Sequence, residues 1–149
     1  MLVVMCRVAD QRFAFDARLV DEVLPLVRAD PLSDGPAWRS GLIACRGESI
    51  PLVDLTRLVV GRPAAARLNS RILLVRSTIE GAPGRVGVLA EGVTAVEIPP
   101  LASPSAASES LDRLGPVLRD GSGIFRLLDL DRLLRDHSHG GAANGGAAP

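Results

Sequence analysis

The chain of 149 residues contains no lysine and no tyrosine, and its 17 basic residues, all arginine, equal its 17 acidic residues in number. The absence of lysine excludes Schiff-base chemistry and a lysine-bearing phosphate loop. The balanced charge produces no net field that would favour nucleic acid or an anionic membrane surface. We therefore expect no nucleic-acid partner.

Histidine and cysteine are also scarce. The two histidines, His137 and His139, lie in a C-terminal segment rich in glycine and alanine, and two ligands on such a segment make a poor metal site. The two cysteines, Cys6 and Cys45, lie inside apolar runs, where cysteine packs as a small buried residue. These positions argue against a histidine-dependent nucleophile, and we expect neither a metal nor a cofactor.

Long hydrophobic runs are missing as well. No apolar run approaches the ~20 residues that a membrane-spanning helix needs. The N-terminal residues 1–5 enter an alternating pattern directly, without a basic leader or a small-residue cleavage site. We expect a cytoplasmic protein with reduced thiols and no direct membrane insertion.

The most informative stretch that is present runs from Gly41 to Leu58. It reads as an apolar strand, a tight turn at Arg46-Gly47, a second strand, and then a switch to helical spacing at Asp54. The position of Asp54 predicts an N-cap, since its carboxylate can accept a hydrogen bond from the first helical turn. A hairpin followed at once by a capped helix is a compact unit.

This unit recurs near the C-terminus. Residues 53–59 and 128–134 share the order apolar, Asp, Leu, polar, Arg, Leu, apolar, so that Asp129 corresponds to Asp54. A second pair of similar segments, residues 12–15 and 85–88, is separated by nearly the same offset of about 75 residues. Two pairs of similar segments that occur in the same order in both halves of the chain indicate an internal duplication.

The turn signals divide the chain into about ten short strands and two or three short helices. This pattern is typical of small closed or nearly closed β-barrels, with roughly five strands in each. We expect one domain over residues 1–136, made of half-barrels at about 1–60 and 70–136. The composition of residues 137–149 predicts a disordered tail.

Arg46 has two interpretations. The first is a solvated turn arginine that forms a local salt bridge with Glu48. The second is a projecting guanidinium that anchors a partner protein. The residues by themselves leave both interpretations open.

The order of several short motifs resembles that of the CheW-like domain, the coupling-protein module of bacterial chemosensory systems. The most specific segment is Gly-x-x-x-x-Arg-Gly-x-x-x-Pro-x-x-Asp-Leu, from Gly41 to Leu55. The remaining matches are Phe13–Asp16, Val20–Pro25, Trp38, Arg71–Val75, Val86–Val93 and Leu127–Leu130. The resemblance covers about residues 1–136.

The resemblance implies a mainly β fold of two pseudo-symmetric, five-stranded SH3-like β-barrels with short helices. It also implies a non-enzymatic adaptor in two-component signal transduction, for which we expect no cofactor. Its partners would be the regulatory domain of a chemotaxis-type histidine kinase and the helical tip of a chemoreceptor. An apolar groove with one arginine anchor suits such an amphipathic helix.

The resemblance further implies a set of partner-binding residues. The positions nearest the receptor-binding groove are Val20, Glu22, Arg46 and Gly47. The second-half positions implied in receptor or kinase coupling are Val86, Gly87, Val88 and Val93.

Two residues depart from the family pattern. Ala44 stands where an asparagine is usual, which removes a polar side chain that could hold Arg46 in place. Glu91 stands where an aspartate is usual. Two alternatives to a receptor–kinase adaptor remain, of which Ala44 bears on the first. One is a divergent scaffold that binds a kinase but no receptor, and the other is a ligand-binding β-barrel with a deep pocket.

Overall fold

The computed structural model describes residues 1–32, 34–82, 84–98 and 114–147, with side chains described as far as residue 138. Strands predominate within these ranges, which confirms the predicted mainly β class. The strands are β1 (Leu2–Val8), β2 (Gln11–Asp16), β3 (Val20–Leu24), β4 (Gly41–Cys45), β5 (Glu48–Asp54), β6 (Arg71–Arg76), β7 (Arg85–Glu97), β8 (Val117–Asp120) and β9 (Gly123–Leu127). The helical elements are a 3-10 turn (Ala17–Leu19), α1 (Leu55–Val60) and α2 (Leu130–Ala147).

The strands form two groups of five. The group that we call barrel I has the order β7–β1–β2–β9–β8, and barrel II has the order β4–β5–β7–β6–β3. Strand β7 serves both groups: residues 85–90 pair in barrel II and residues 91–97 pair in barrel I. The strand changes group beside Gly92, whose φ of +62° is a backbone conformation that favours glycine. Neither group closes into a continuous ring of strands, although each has the five strands that the sequence predicts.

The two groups do not follow the predicted contiguous halves. Strands β1 and β2 join strands from the second half of the sequence in barrel I, while β6 and the first part of β7 join strands from the first half in barrel II. This mixing of strands is the same in both barrels. The parallel pairing of Ala14 with Leu127 in barrel I corresponds, through the repeat, to the parallel pairing of Gly87 with Leu52 in barrel II. Each barrel is therefore built from both halves of the duplication.

Three apolar clusters explain why β1 and β6 each carry an unbroken apolar run, at residues 2–6 and 72–75. On β1, Val3 and Met5 pack inside barrel I, while Val4 and Cys6 face a central cluster between the barrels. On β6, Ile72 and Leu74 pack inside barrel II, while Leu73 and Val75 face the same central cluster. A strand that is buried on both faces reads as a continuous apolar run.

Both predicted caps form. The Asp54 carboxylate accepts hydrogen bonds from the backbone N–H of Arg57 at 3.2 Å and from that of Ala64 at 2.9 Å. Asp129 accepts from the backbone N–H of Arg132 at 3.2 Å. The two carboxylates therefore begin equivalent helices, but Asp54 also fixes the segment that joins the two sequence halves.

The last helix extends further than the composition predicts. Residues 137–147 are helical rather than a disordered tail, and residues 148–149 lie outside the described residues. Leu133 and Leu134 anchor the helix in the central cluster, and the His137 ring lies 2.9 Å from the Leu133 carbonyl oxygen and 3.1 Å from that of Leu58. Among the described residues, no helix is both long enough and apolar enough to cross a bilayer.

The two caps give a matched test of this arrangement. We expect Asp54→Ala to lower the free energy of unfolding by about 2 kcal/mol, because both a cap and a linker contact are lost. Asp129→Ala should cost about 1 kcal/mol, since only one cap bond is lost. Urea denaturation of both variants measures the difference, and equal losses would contradict the tethering role of Asp54.

Candidate partner-binding site

The turn between β4 and β5 places Arg46 at the tip of a tight hairpin. Cys45 pairs with Glu48, so Arg46 and Gly47 form a two-residue turn. Their φ angles are +48° and +79°, as expected for the two central residues of a type I′ hairpin turn. Glycine adopts this backbone conformation at little cost, whereas arginine does so uncommonly. The side chain of Arg46 is held in place by a specific partner.

That partner is Glu22 on β3. The Arg46 Nη1 and Nη2 atoms donate to the Glu22 Oε2 and Oε1 atoms, each over 2.6 Å, in a two-point fork. The Arg46 side chain remains 68% exposed and that of Glu22 30% exposed, so the guanidinium stays accessible to a partner. The local pairing with Glu48 that the sequence allows is not the one observed.

The Arg46–Glu22 ion pair shifts the pKa values of both groups. Hydrogen bonding from Arg46 lowers the pKa of the Glu22 carboxyl, and the positive charges of Arg46 and Arg85 act in the same direction. Hydrogen bonding to Glu22 raises the pKa of the Arg46 guanidinium. Both groups are therefore held in their charged forms.

The ion pair spans the open side of barrel II, where β3 and β4 form no continuous ladder. A second link on this side is the isolated bridge between Asp30 and Leu42, whose two backbone hydrogen bonds measure 2.8 and 2.9 Å. Arg46 thus joins the hairpin tip to β3 by side-chain contact alone. The geometry orients the guanidinium without burying it.

Apolar side chains are exposed on the segment that carries Glu22. Val23 is 46% exposed, and Leu26 and Val27, which follow β3 directly, are 39% and 42% exposed. Val20 is partly buried against the central cluster. The segment that provides the partner of Arg46 therefore also exposes aliphatic side chains, which are suited to contact with another protein.

Ala44 is exposed on β4, two residues before Arg46. Its methyl group cannot hold the guanidinium, and the fork from Glu22 supplies that restraint instead. Sequence reasoning named both Arg46 and Glu22 but did not pair them. Their separation of 24 residues along the chain left no local signal for the contact.

The second set of predicted residues does not join this surface. Val86 and Val88 are fully buried in the central cluster. Gly87 faces Ile43 and Ile72, whose atoms would lie 3.2 and 3.3 Å from an added Cβ. These three residues can affect a partner only through the fold, because their side-chain positions do not reach the surface.

Val93, the last predicted residue, is partly buried against the central cluster. Its backbone N–H donates to the Asn69 carbonyl oxygen over 3.1 Å. It therefore fixes the linker between the sequence halves and does not lie with Arg46 in the hairpin.

Charged neighbours that the sequence did not single out complete the site. Arg85 contacts Glu48 at 2.7 Å, and Arg76 contacts Asp21 at 3.1 Å. Within the described part of the chain, no group of three or more His, Cys, Asp or Glu side chains is arranged to hold a metal ion.

Comparisons with known proteins identify a family and a similar fold. The family profile for the CheW-like domain matches residues 2–138. Among solved structures, the chain is similar to the scaffolding protein TtCheW from Thermoanaerobacter tengcongensis, with a TM-score of 0.72 and 20% identity. That match covers 89% of this chain and 86% of the other. No curated protein matches the chain.

The fork can be tested by titration. We expect Arg46→Gln to raise the pKa of Glu22 towards its ordinary value, because the strongest hydrogen bonds to the carboxylate are lost. In the wild type, the stabilisation from this pair is present above the unfolded-state pKa and is lost as the pH falls through the lowered folded-state pKa. Carbon-detected NMR of the Glu22 carboxyl measures the shift.

Arg85→Gln is the matched control for this titration. Arg85 acts on Glu22 through charge alone, so its removal should raise the pKa of Glu22 by less than the removal of Arg46 does. Equal shifts in the two variants would show that the fork is not formed in solution.

Proposed function

This chain belongs to the CheW-like domain family, and from that premise we propose that it is a non-enzymatic cytoplasmic adaptor. It couples the helical tip of a chemoreceptor to the regulatory domain of a chemotaxis-type histidine kinase. The observation that carries the receptor half of the proposal is Arg46, which is held by Glu22 yet mostly exposed. Exposed aliphatic side chains follow Glu22 along the chain. Family membership supports the kinase half.

The receptor contact follows from the chemistry of this surface. An amphipathic helix presents apolar residues at helical spacing together with polar residues at the edges of that stripe. Val23, Leu26 and Val27 offer apolar contact, and the Arg46 guanidinium can form a fork with a carboxylate of the helix. Because Glu22 already restrains the arginine, little side-chain freedom remains to be lost on binding.

The internal repeat shows that this feature is specific to one barrel. The positions that correspond to Glu22 and Arg46 in the second half are Ala95 and Gly121. Neither residue carries a charge, so barrel I has no equivalent of the fork. The repeat therefore supports different partners for the two barrels, with the receptor assigned to barrel II.

Barrel I has exposed apolar side chains of its own. Leu2 is 50% exposed and Ile124 is 56% exposed. Such positions fit docking against the kinase regulatory domain, which in this family is a related barrel, through a mostly apolar contact.

The interiors of both barrels weigh against a ligand-binding barrel. Phe125 and Leu118 fill barrel I, and Ile50, Ile72 and Leu74 fill barrel II. A small-molecule site needs an open pocket with a few convergent polar groups, whereas the described side chains buried inside each barrel form apolar clusters.

Charge reversal at the hairpin tip tests the adaptor directly. We expect Arg46→Glu to weaken binding of a receptor signalling tip by about tenfold or more, because a desolvated anchor becomes repulsive. Binding of the kinase regulatory domain should change by less than about twofold. Both affinities are measured by calorimetry on the purified full chain, with Arg119→Glu on barrel I as the matched charge reversal for the receptor arm.

A charge-swapped double variant separates anchoring from folding. Glu22→Arg combined with Arg46→Glu rebuilds the ion pair with opposite polarity, so the hairpin should remain folded while receptor binding stays weak. Recovery of receptor affinity in this variant would contradict direct contact by Arg46. Wild-type protein that binds the kinase domain but no receptor tip would support the divergent scaffold, and binding to neither at tens of micromolar would overturn the adaptor.

A further inference from the structure

A second surface feature lies where the linker between the sequence halves, residues 61–70, passes the β1–β2 turn. A crevice of about 480 Å³ opens there, and its lining includes Arg7 on β1 and Arg62 and Arg67 on the linker. The crevice is distinct from the Arg46 surface, since none of the residues that form the fork line it. Nothing in the adaptor function accounts for three arginines at this position.

The three arginines differ in their partners. The Arg67 Nε atom lies 3.3 Å from the Glu91 Oε1 atom, and the Thr56 hydroxyl donates to the Glu91 Oε2 atom over 3.1 Å. Glu91 therefore neutralises Arg67. Arg7 and Arg62 contact no carboxylate at ion-pair distance within the described residues, so their charges remain available.

The repeat provides an internal comparison for Arg7. The pairing of Arg7 with Arg12 across the β1–β2 hairpin corresponds to the pairing of Arg76 with Arg85 across the β6–β7 hairpin. Arg76 is occupied by Asp21 at 3.1 Å and by the carbonyl oxygen of Arg18. The same position thus has a carboxylate partner in one half and, among the described residues, none in the other.

The linker wall of the crevice is held in place. The Ser70 hydroxyl donates to the Ala65 carbonyl oxygen over 2.9 Å and accepts from the Arg67 N–H over 3.0 Å. The Asn69 carbonyl oxygen accepts from the Val93 N–H over 3.1 Å. The backbone that carries the arginines is therefore ordered before any ligand arrives, which lowers the entropic cost of binding.

We propose that this crevice binds a phosphate group, either as inorganic phosphate or as the phosphate of a small monoester. Two free guanidiniums match the charge of about −2 that a phosphate monoester carries near neutral pH. The planar guanidinium can donate two parallel hydrogen bonds to phosphate oxygens. Asn69 is a further polar residue of the lining. The volume lies within the range of about 300–1,000 Å³ that is usual for small-molecule sites.

The rest of the lining favours recognition of the phosphate rather than of an attached base. It contains no aromatic side chain and no large aliphatic one on which a nucleobase could stack. One group opposes the anion: the Asp10 carboxylate lies in the lining. Removal of that charge should therefore strengthen binding, a gain that nonspecific effects of mutation do not readily produce.

The test is titration of the full chain with inorganic phosphate and, separately, with glucose 6-phosphate, both at a constant ionic strength set with sodium chloride. Calorimetry and the shift in thermal unfolding temperature report binding. We expect saturable binding that weakens by about tenfold in Arg7→Gln and in Arg62→Gln. Asp10→Asn should tighten binding, and Arg28→Gln, an exposed arginine outside the crevice, should leave it unchanged.

The two ligands distinguish the source of the phosphate. Binding of both ligands assigns the site to the phosphate group itself, whereas binding of glucose 6-phosphate alone assigns it to a monoester. Absence of saturation by either ligand at tens of millimolar would overturn the proposal. An equal loss of affinity in Arg7→Gln and Arg28→Gln would overturn it too, because the effect would then be general screening. The receptor and kinase arms of the adaptor test do not depend on this outcome.

Discussion

The structure depends on two strands, β1 and β6, that are buried on both faces. Each strand packs one row of side chains inside a barrel and the other row in the central cluster, so a change in one core is transmitted directly to the next. Interiors packed to crystal-like density do not absorb such changes easily. The two barrels are therefore one cooperative unit, although each has its own apolar interior.

Both candidate surfaces carry their accessible charge near a turn or a linker. The inward faces of the strands are committed to packing, and other exposed arginines, such as Arg76 and Arg119, lie on outward-facing strand positions. Arg46 lies at a hairpin tip, and Arg7 and Arg62 lie beside the crossing between the sequence halves. The carboxylates that lie deeper serve the fold: Asp54 caps α1, and Asp131 accepts hydrogen bonds from Ser77 and Thr78.

Local features of the chain were predictable because local patterns encode them. The turn at Arg46-Gly47 and the caps at Asp54 and Asp129 follow from spacing and residue type. The partner of Arg46 was not predictable in this way, since it lies on a distant strand. The sequence also does not distinguish an apolar residue that is buried in the core, as Val86 is, from one that is exposed and binds a partner. The repeat indicated two similar units, but it did not show that strands from the two sequence halves pair with each other. Composition also failed to predict the helix beyond residue 136, because the helix begins with turns that Leu133 and Leu134 stabilise by packing in the central cluster.

The exchange of strands between the two halves has a consequence for the origin of the fold. A chain that ended at α1 would contain β1 and β2 without the strands that complete barrel I, and β3–β5 without those that complete barrel II. Two copies of such a chain could complete each other by trading hairpins, and would form a symmetric dimer with the present arrangement. Fusion of the two copies through residues 61–70 would then free each half to diverge, and the two hairpin tips now differ, with Arg46 in one and Gly121 in the other.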